Sequence, residues 1–537
     1  MPVPSRVLRV LIVALYLVIF PYHPALRSPN ELSRLWETHA LVDHGTPVLN
    51  QTLRELGGVG DLSVVDGRYY PSKAPLLSFL AIPVYAGLKA WASFRGASGQ
   101  PSDVPEVPLL FWARLFITLL PTLVMFVFLR RFLATYLSRA LTEALVGTYA
   151  LGSLAFNYAE QFLSHQLTAV LAFFCFYALW RSARGEWNER GYLLAGFFAS
   201  ATLVCEYTGA LTVIALVFYG ALSNIRVTRT GETRLWVRLA RALALGTAGA
   251  LPLVLALMYY HYICFGGPFE SGYTHLADTA YQPWHMGGFR GIRYPDPRAF
   301  LLSFFSPLRG LLTMSPFLAL GMVGLGSLWH KERPLFWLSA LLLAANTYFT
   351  SSFSYDSWGW TPAPRHLTPL VPFLLLPAGL LMQRLSSREG VGALFGYGVA
   401  TGLCVASILI TGTVALVNYV PPELSTSLFG LAVPLFLKGF LVPTLLLFLG
   451  VPNPVSGALP VLLVLGGAVL SAVIFLSATG PRWRLWAPLG AVLSAGAMLL
   501  TLHSATRNDS ADRGAEQFLE RAWMAPPGLP VAFWPHG

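Results

Sequence analysis

Long apolar runs, broken by short basic turns and a few polar loops, recur from one end of the chain to the other. They cover 7–20, 108–129, 141–157, 166–180, 240–262, 311–329, 335–349, 367–383, 391–417, 430–449, 457–478 and 485–502. A helix needs about 20 apolar residues to cross a bilayer, so each run predicts a membrane helix. The stretch 191–223 is too long for one crossing and carries Glu206-Tyr207 in its middle. Two short helices meeting at Glu206 avoid burying an unpaired carboxylate in lipid. The pattern predicts an all-α polytopic membrane protein of about 13 transmembrane helices.

Basic residues orient the bundle. With the N-terminus inside, the cytoplasmic connections hold Arg130, Arg131 and Arg139; Arg181, Arg184 and Arg190; Arg226, Arg229, Arg234, Arg238 and Arg241; Lys331 and Arg333; and Arg384 and Arg388. The opposite connections 158–165 and 418–429 hold no Lys or Arg, as the positive-inside rule requires. Arg6 and Arg9 precede the first run without a small-x-small cleavage site after it, which reads as an uncleaved signal anchor. Residues 74–94 are apolar enough to span, but counting them would put every basic loop outside. They are therefore expected to lie in or dip into the outer leaflet, making 21–107 one large external loop of juxtamembrane helices. Arg482 and Arg484 break the rule near the C-terminus, which leaves the count of the last spans open. Residues 1–502 form one transmembrane domain. The polar tail 503–537 fits either face and is too short to be a domain.

Composition agrees. Of 537 residues, 55% are hydrophobic and 11% charged, where soluble domains carry roughly a quarter charged. The net charge of +11 would suggest nucleic acid in a soluble protein; here it reflects Lys and Arg kept on the cytoplasmic side, with no nucleic-acid partner expected. Cys175, Cys205, Cys264 and Cys404 are scattered in or beside apolar runs and read as small buried apolar side chains. Three external segments, 263–310, 350–366 and the turn 157–166, are rich in aromatics, Gly, Pro and isolated charges. Irregular polar segments at membrane depth are tolerable where they line a wet cavity.

The loop after the first run contains "SPNELSRLWETHALVDHG", from Ser28. Ser28 suits an N-cap, Pro29 the first turn, and Glu31 stands where a capping box places its acid. Leu32, Leu35, Trp36 and Ala40 share one face, predicted to meet lipid.

This stretch, continued by "TPVLN" and "DGRYYPSKAPLLSFLAIPVY", resembles the first external loop of the GT-C glycosyltransferases, nearest to bacterial aminoarabinose transferase and the protein O-mannosyltransferases. The counterparts are Asn30-Glu31, Arg34, Gly45, Pro47 to Asn50, Tyr69-Tyr70, and Lys73 to Pro75, over about 50 residues; "WGWTPAPRHLTPLVPF" resembles a second turn of bacterial members. The resemblance implies a GT-C bundle taking a sugar from a polyprenyl-phosphate donor to a lipid, glycan or protein acceptor, on the periplasmic face of a bacterial inner membrane. The family's first acid is Asn30 here, and an amide cannot act as a base. Either Glu31 takes the role or the base lies elsewhere; Glu31 is the expected catalytic carboxylate, set against its capping role. Lys73 and Arg365, with Arg309 and Arg68 behind them, are the expected phosphate-binding cations; snorkelling is the alternative for Arg365, and snorkelling or surface exposure is the preferred reading of Arg309 and Arg68. Asn30, Arg34, Tyr69 and Tyr70 are expected to position the loop. Glu160 and His165 fall at a second polar site, where a divalent cation with Glu31 is an open alternative. Glu206-Tyr207 is expected to cap a helix junction. Trp358, Trp360, Tyr273, Tyr281 and Trp284 suit either sugar stacking or an interfacial belt; 263–310 is long enough to be a lid over the site, and Asp356 crowds the loop of Arg365 with Trp358 and Trp360. A flippase of lipid-linked sugars, or a lipid-linked glycan polymerase, would share the many spans; no inverted repeat favours the carrier.

Overall fold

The computed structural model describes residues 3–21, 28–228, 235–353, 359–440, 442–448, 451, 453–479 and 485–524. Asp356, Trp358, Arg482, Arg484, Arg229, Arg234 and the end of the tail from 525 lie outside the described residues. The fold is an all-α polytopic membrane bundle. Among the described residues, nine helices are long and apolar enough to cross a bilayer, among them Glu106–Leu133, Ser164–Ala183, Leu235–Phe265 and Val391–Val417. The expected runs at 7–20, 141–157 and 311–329 form helices of 16, 14 and 14 residues, Val3–Val18, Arg139–Gly152 and Leu318–Lys331. These are shorter than a full crossing and are carried by their packing against neighbours. Glycine lets some helices touch closely: a Cβ at Gly398 would sit 2.1 Å from the Ala487 carbonyl oxygen, so Val391–Val417 and Trp486–Ala505 meet backbone to backbone.

One junction follows the sequence and one departs from it. The 191–223 stretch is two helices, Arg190–Cys205 and Gly209–Thr228, broken at Glu206 as expected. The predicted span 430–449 is not continuous. Helix Val433–Leu437 stops at Lys438 and at Gly439, whose φ of +89° favours glycine. Lys438 Nζ is held 2.9 Å from Glu516 and 3.1 Å from Glu520, both on the helix Ser510–Met524. The tail's amphipathic helix thus docks on the bundle through Ala515, Phe518, Leu519 and Ala522.

The first loop is built on Pro29–Asp43, capped by Ser28 Oγ, which accepts the Glu31 N–H at 3.4 Å. The stripe of Leu32, Leu35, Trp36 and Ala40 does not face lipid: it is buried against Leu77, Ala81, Tyr85 and Leu109 in a core of its own. Its partner Leu76–Phe94 is long and apolar enough to cross. The two helices are tied by Asp43, which accepts from Tyr85 Oη at 2.7 Å and from Lys89. Between them Leu62–Val65 and Arg68–Pro71 pair as an antiparallel hairpin. Its two-residue turn, Asp66-Gly67, has φ of +49° and +73°, the geometry for which Asp-Gly is the standard pair. The hairpin leads Lys73 back over the start of the first loop helix.

Candidate active site

A cavity of about 1370 Å³ opens among the first loop, the junction at Glu206, the 263–310 segment and the turn before Arg365. Leu203, Leu211, Val254, Leu257 and Met258, from the helices on either side of Glu206 and from Leu235–Phe265, give its lining apolar side chains. Asn30, Asp61, Lys73, Glu206, Arg365 and His366 give it polar ones.

Lys73 Nζ is 3.0 Å from Asp61 Oδ1 and 5.2 Å from the centroid of the Tyr273 ring. Burial works to raise the Asp61 carboxyl, and Lys73, with Arg365 and Arg34 farther off, outweighs it and holds it below its usual range. Burial in turn works to lower Lys73, and Asp61 outweighs it, so the ammonium stays charged. Arg365 opens a 3₁₀ helix, Arg365–Leu374, in which Pro369 and Pro372 have no N–H to give an α-helix. Its own carbonyl accepts from Thr368 Oγ1 at 2.6 Å. Among the described residues Arg365 makes no ion pair, and its buried Nε has no hydrogen-bond partner. His285, stacked on Tyr273 at 4.6 Å, is held down to about 4 by burial and then by Lys73.

Glu31 lies elsewhere. It is buried, its Oε1 accepts the Phe162 N–H at 2.7 Å, and so it does not complete a capping box. It faces a satellite pocket of about 10 Å³ with Arg114, Glu160, Gln161, Asn418 and Tyr419, at the lower limit of what one water needs. Burial raises its carboxyl to about 7, against the Phe162 N–H and Arg34, which lower it. Glu160 is pushed to about 8 by burial, opposed by Arg114, whose Nη1 donates to its Oε2 at 2.5 Å. Gln161, Asn418 and Tyr419 line both pockets, and the bond from Gln161 Nε2 to Asn418 Oδ1, 2.6 Å, stands between them.

Of the residues expected from sequence, the structure therefore gathers Asn30, Lys73 and Arg365 on the large cavity and puts Glu31 and Glu160 behind its wall. Arg34 is buried and braces the loop: Nη1 donates to the Asn30 carbonyl at 2.7 Å and Nη2 to Ser164 Oγ at 3.3 Å. Arg309 is buried and donates from Nη1 to the Gly359 carbonyl at 2.6 Å, joining two external segments. Tyr69 is exposed, its N–H on Asn50 Oδ1, while Tyr70 packs with Tyr260, Cys264 and Phe265; Arg68 is exposed. None of these lines the cavity. His165 Nδ1 sits 3.7 Å from Glu206 Oε2, and Glu31 has its own partner, so the two are not assembled as a metal pair. No group of three His, Cys, Asp or Glu that could hold a metal ion occurs among the described residues.

Sequence reasoning missed Asp61, His366 and the exposure of Glu206 to the cavity. Asp61 was findable, because the Asp66-Gly67 hairpin signal places it beside Ser72 and Lys73; its carbonyl accepts from the Ser72 N–H at 2.9 Å.

Fold and site together define a polytopic membrane protein with a largely apolar cavity that Lys73 and Arg365 also line. No family model matches the chain, and a comparison with curated proteins finds no match. Among solved structures, the chain is similar to ArnT from Cupriavidus metallidurans. The apo form has 12% identity, covering 92% of this chain and 77% of that one, with a TM-score of 0.44. The form bound to undecaprenyl phosphate has the same identity and coverage, with a TM-score of 0.45.

Proposed function

We propose that the chain is a GT-C-type glycosyltransferase. It moves a sugar from a polyprenyl-phosphate donor to an acceptor hydroxyl or amine, on the periplasmic face of a bacterial inner membrane. The observation that carries this reading is Arg365: a cation that makes no ion pair among the described residues, on the same cavity as Lys73 and as the apolar Leu203, Leu211, Val254, Leu257 and Met258. A prenyl phosphate likewise joins an anionic head to an apolar chain. Arg offers paired N–H groups to phosphate oxygens and Lys a point charge.

In the reaction the acceptor oxygen or nitrogen attacks C1 of the sugar and the bond from C1 to the phosphate oxygen breaks. The phosphate leaves with its added negative charge, which Arg365 and Lys73 stabilise. The acceptor's proton passes to Glu31, whose value near 7 suits a general base at neutral pH. Reaching Glu31 requires the bond between Gln161 and Asn418 to open.

The test is lipid-phosphate binding and turnover by the full chain in detergent. Arg365→Ala should weaken binding of undecaprenyl phosphate roughly tenfold to a hundredfold, as expected for a charge-assisted hydrogen bond. Unchanged binding would refute the assignment. A carrier would bind the same lipid but release no sugar-bearing product from a labelled donor, which separates the two activities.

A further inference from the structure

We propose that Trp360 and Phe518 form the subsite for the donor's sugar ring, so that the C-terminal helix Ser510–Met524 is part of the active site; this rests on the function proposed above. Both rings line the large cavity. They meet at 5.6 Å between centroids and 78° between planes, so each fixes the other's orientation. Phe518 is buried and Trp360 half-buried. An aromatic face is electron-rich and attracts C–H groups, which a pyranose presents on its less polar side.

Position decides what this wall can hold. A sugar is one bond from its phosphate, so its subsite must border the phosphate site. Trp360 and Thr361 precede Arg365 in the same turn, and all three line the cavity. The apolar wall that suits a prenyl chain comes from other elements. Gln161 and Asn418 put carboxamides on the same cavity, as partners for sugar hydroxyls.

The helix that delivers Phe518 is held in place. Asp512 accepts from the Ser425 N–H and Oγ, each at 2.6 Å, and from the Asn508 N–H at 2.9 Å. Pro422 and Tyr419, a few residues before Ser425, also line the cavity. Asp512 thus clamps the tail to the segment that completes this wall.

The test compares the affinity of the full-length chain for undecaprenyl phosphate and for the same lipid carrying glucose, mannose or aminoarabinose. The wild type should hold at least one sugar-linked lipid roughly tenfold tighter than the bare lipid, the scale of one well-placed ring contact. Trp360→Ala and Phe518→Ala should bring that ratio near one, and Trp360→Phe should restore most of it. Should an alanine variant melt early, Phe518→Leu and Trp360→Leu carry the comparison. A ratio unchanged in the alanine or leucine variants, or near one in the wild type for every sugar, overturns the subsite. Arg365→Ala is read on the bare lipid alone: if it binds as well as the wild type, the phosphate site fails, whatever the sugar ratio shows.

Discussion

The two pockets share a wall and use the same residue types to opposite ends. In the large cavity the Lys73 and Asp61 side chains keep 11% and 31% of their exposure, and Arg365 has no counter-ion among the described residues. In the satellite pocket Arg114 and Glu160 keep 1% and 0%, and they face each other. A cation that water can reach is free to exchange its partner for a ligand. A sealed cation is committed to its carboxylate, because removing either leaves a buried charge uncompensated. Access therefore separates recognition from bracing.

Breaking the sealed pair should have the largest effect. Arg114 Nη1 also donates to the Ile19 carbonyl at 2.9 Å, so it joins the first helix to Glu160. Arg114→Ala should destabilise the fold by about 3–5 kcal/mol, the scale for removing one partner of a buried pair. The check is melting in detergent and the yield of monodisperse protein. Arg365→Ala, in the open cavity, should melt close to the wild type.

Next in size is Glu31→Gln. Loss of a general base should lower transfer by a hundredfold or more, while donor binding persists. Its pH dependence runs in two directions. Glu31 and Glu160 are raised by burial from 4.5 to about 7 and about 8. The folded state then keeps protons that the unfolded chain has released. Their contribution to stability is complete below pH 4.5 and is lost as pH rises through 7 and 8. Transfer, which needs ionised Glu31, should rise over the same window. Melting and initial rates measured from pH 5 to 9 should show the crossing, and Glu31→Gln should remove the part of the stability decline that runs from pH 5 up to about 7. The smallest effect belongs to Asp61→Asn. It frees Lys73 from its counter-ion and should tighten undecaprenyl phosphate binding by roughly two- to fivefold, since a part-exposed pair contributes little. Weaker binding would mean that Asp61 orients Lys73 rather than competing with the phosphate.

The bundle was legible because spans announce themselves by length and basic loops by charge. The break at Glu206 was legible for the same reason. The stripe on Pro29–Asp43 was not: periodicity marks an apolar face but not whether lipid or Leu76–Phe94 covers it. The site was half legible. Lys73 and Arg365 stand out as cations in external turns, and both reach the cavity. Glu31 and Asn30 are chain neighbours on a helix, about 100° apart around its axis. That rotation puts the amide on the cavity and the acid behind its wall, which a linear motif cannot express. Phe518 was invisible, because nothing in the tail tells which loop its helix will meet.

The most direct test is a structure of the chain with undecaprenyl phosphate bound. The account predicts phosphate density within hydrogen-bonding reach of Arg365 and Lys73, with the prenyl chain running toward Leu211 and Leu257. Phosphate density away from Arg365, with the cavity empty of lipid, would contradict it.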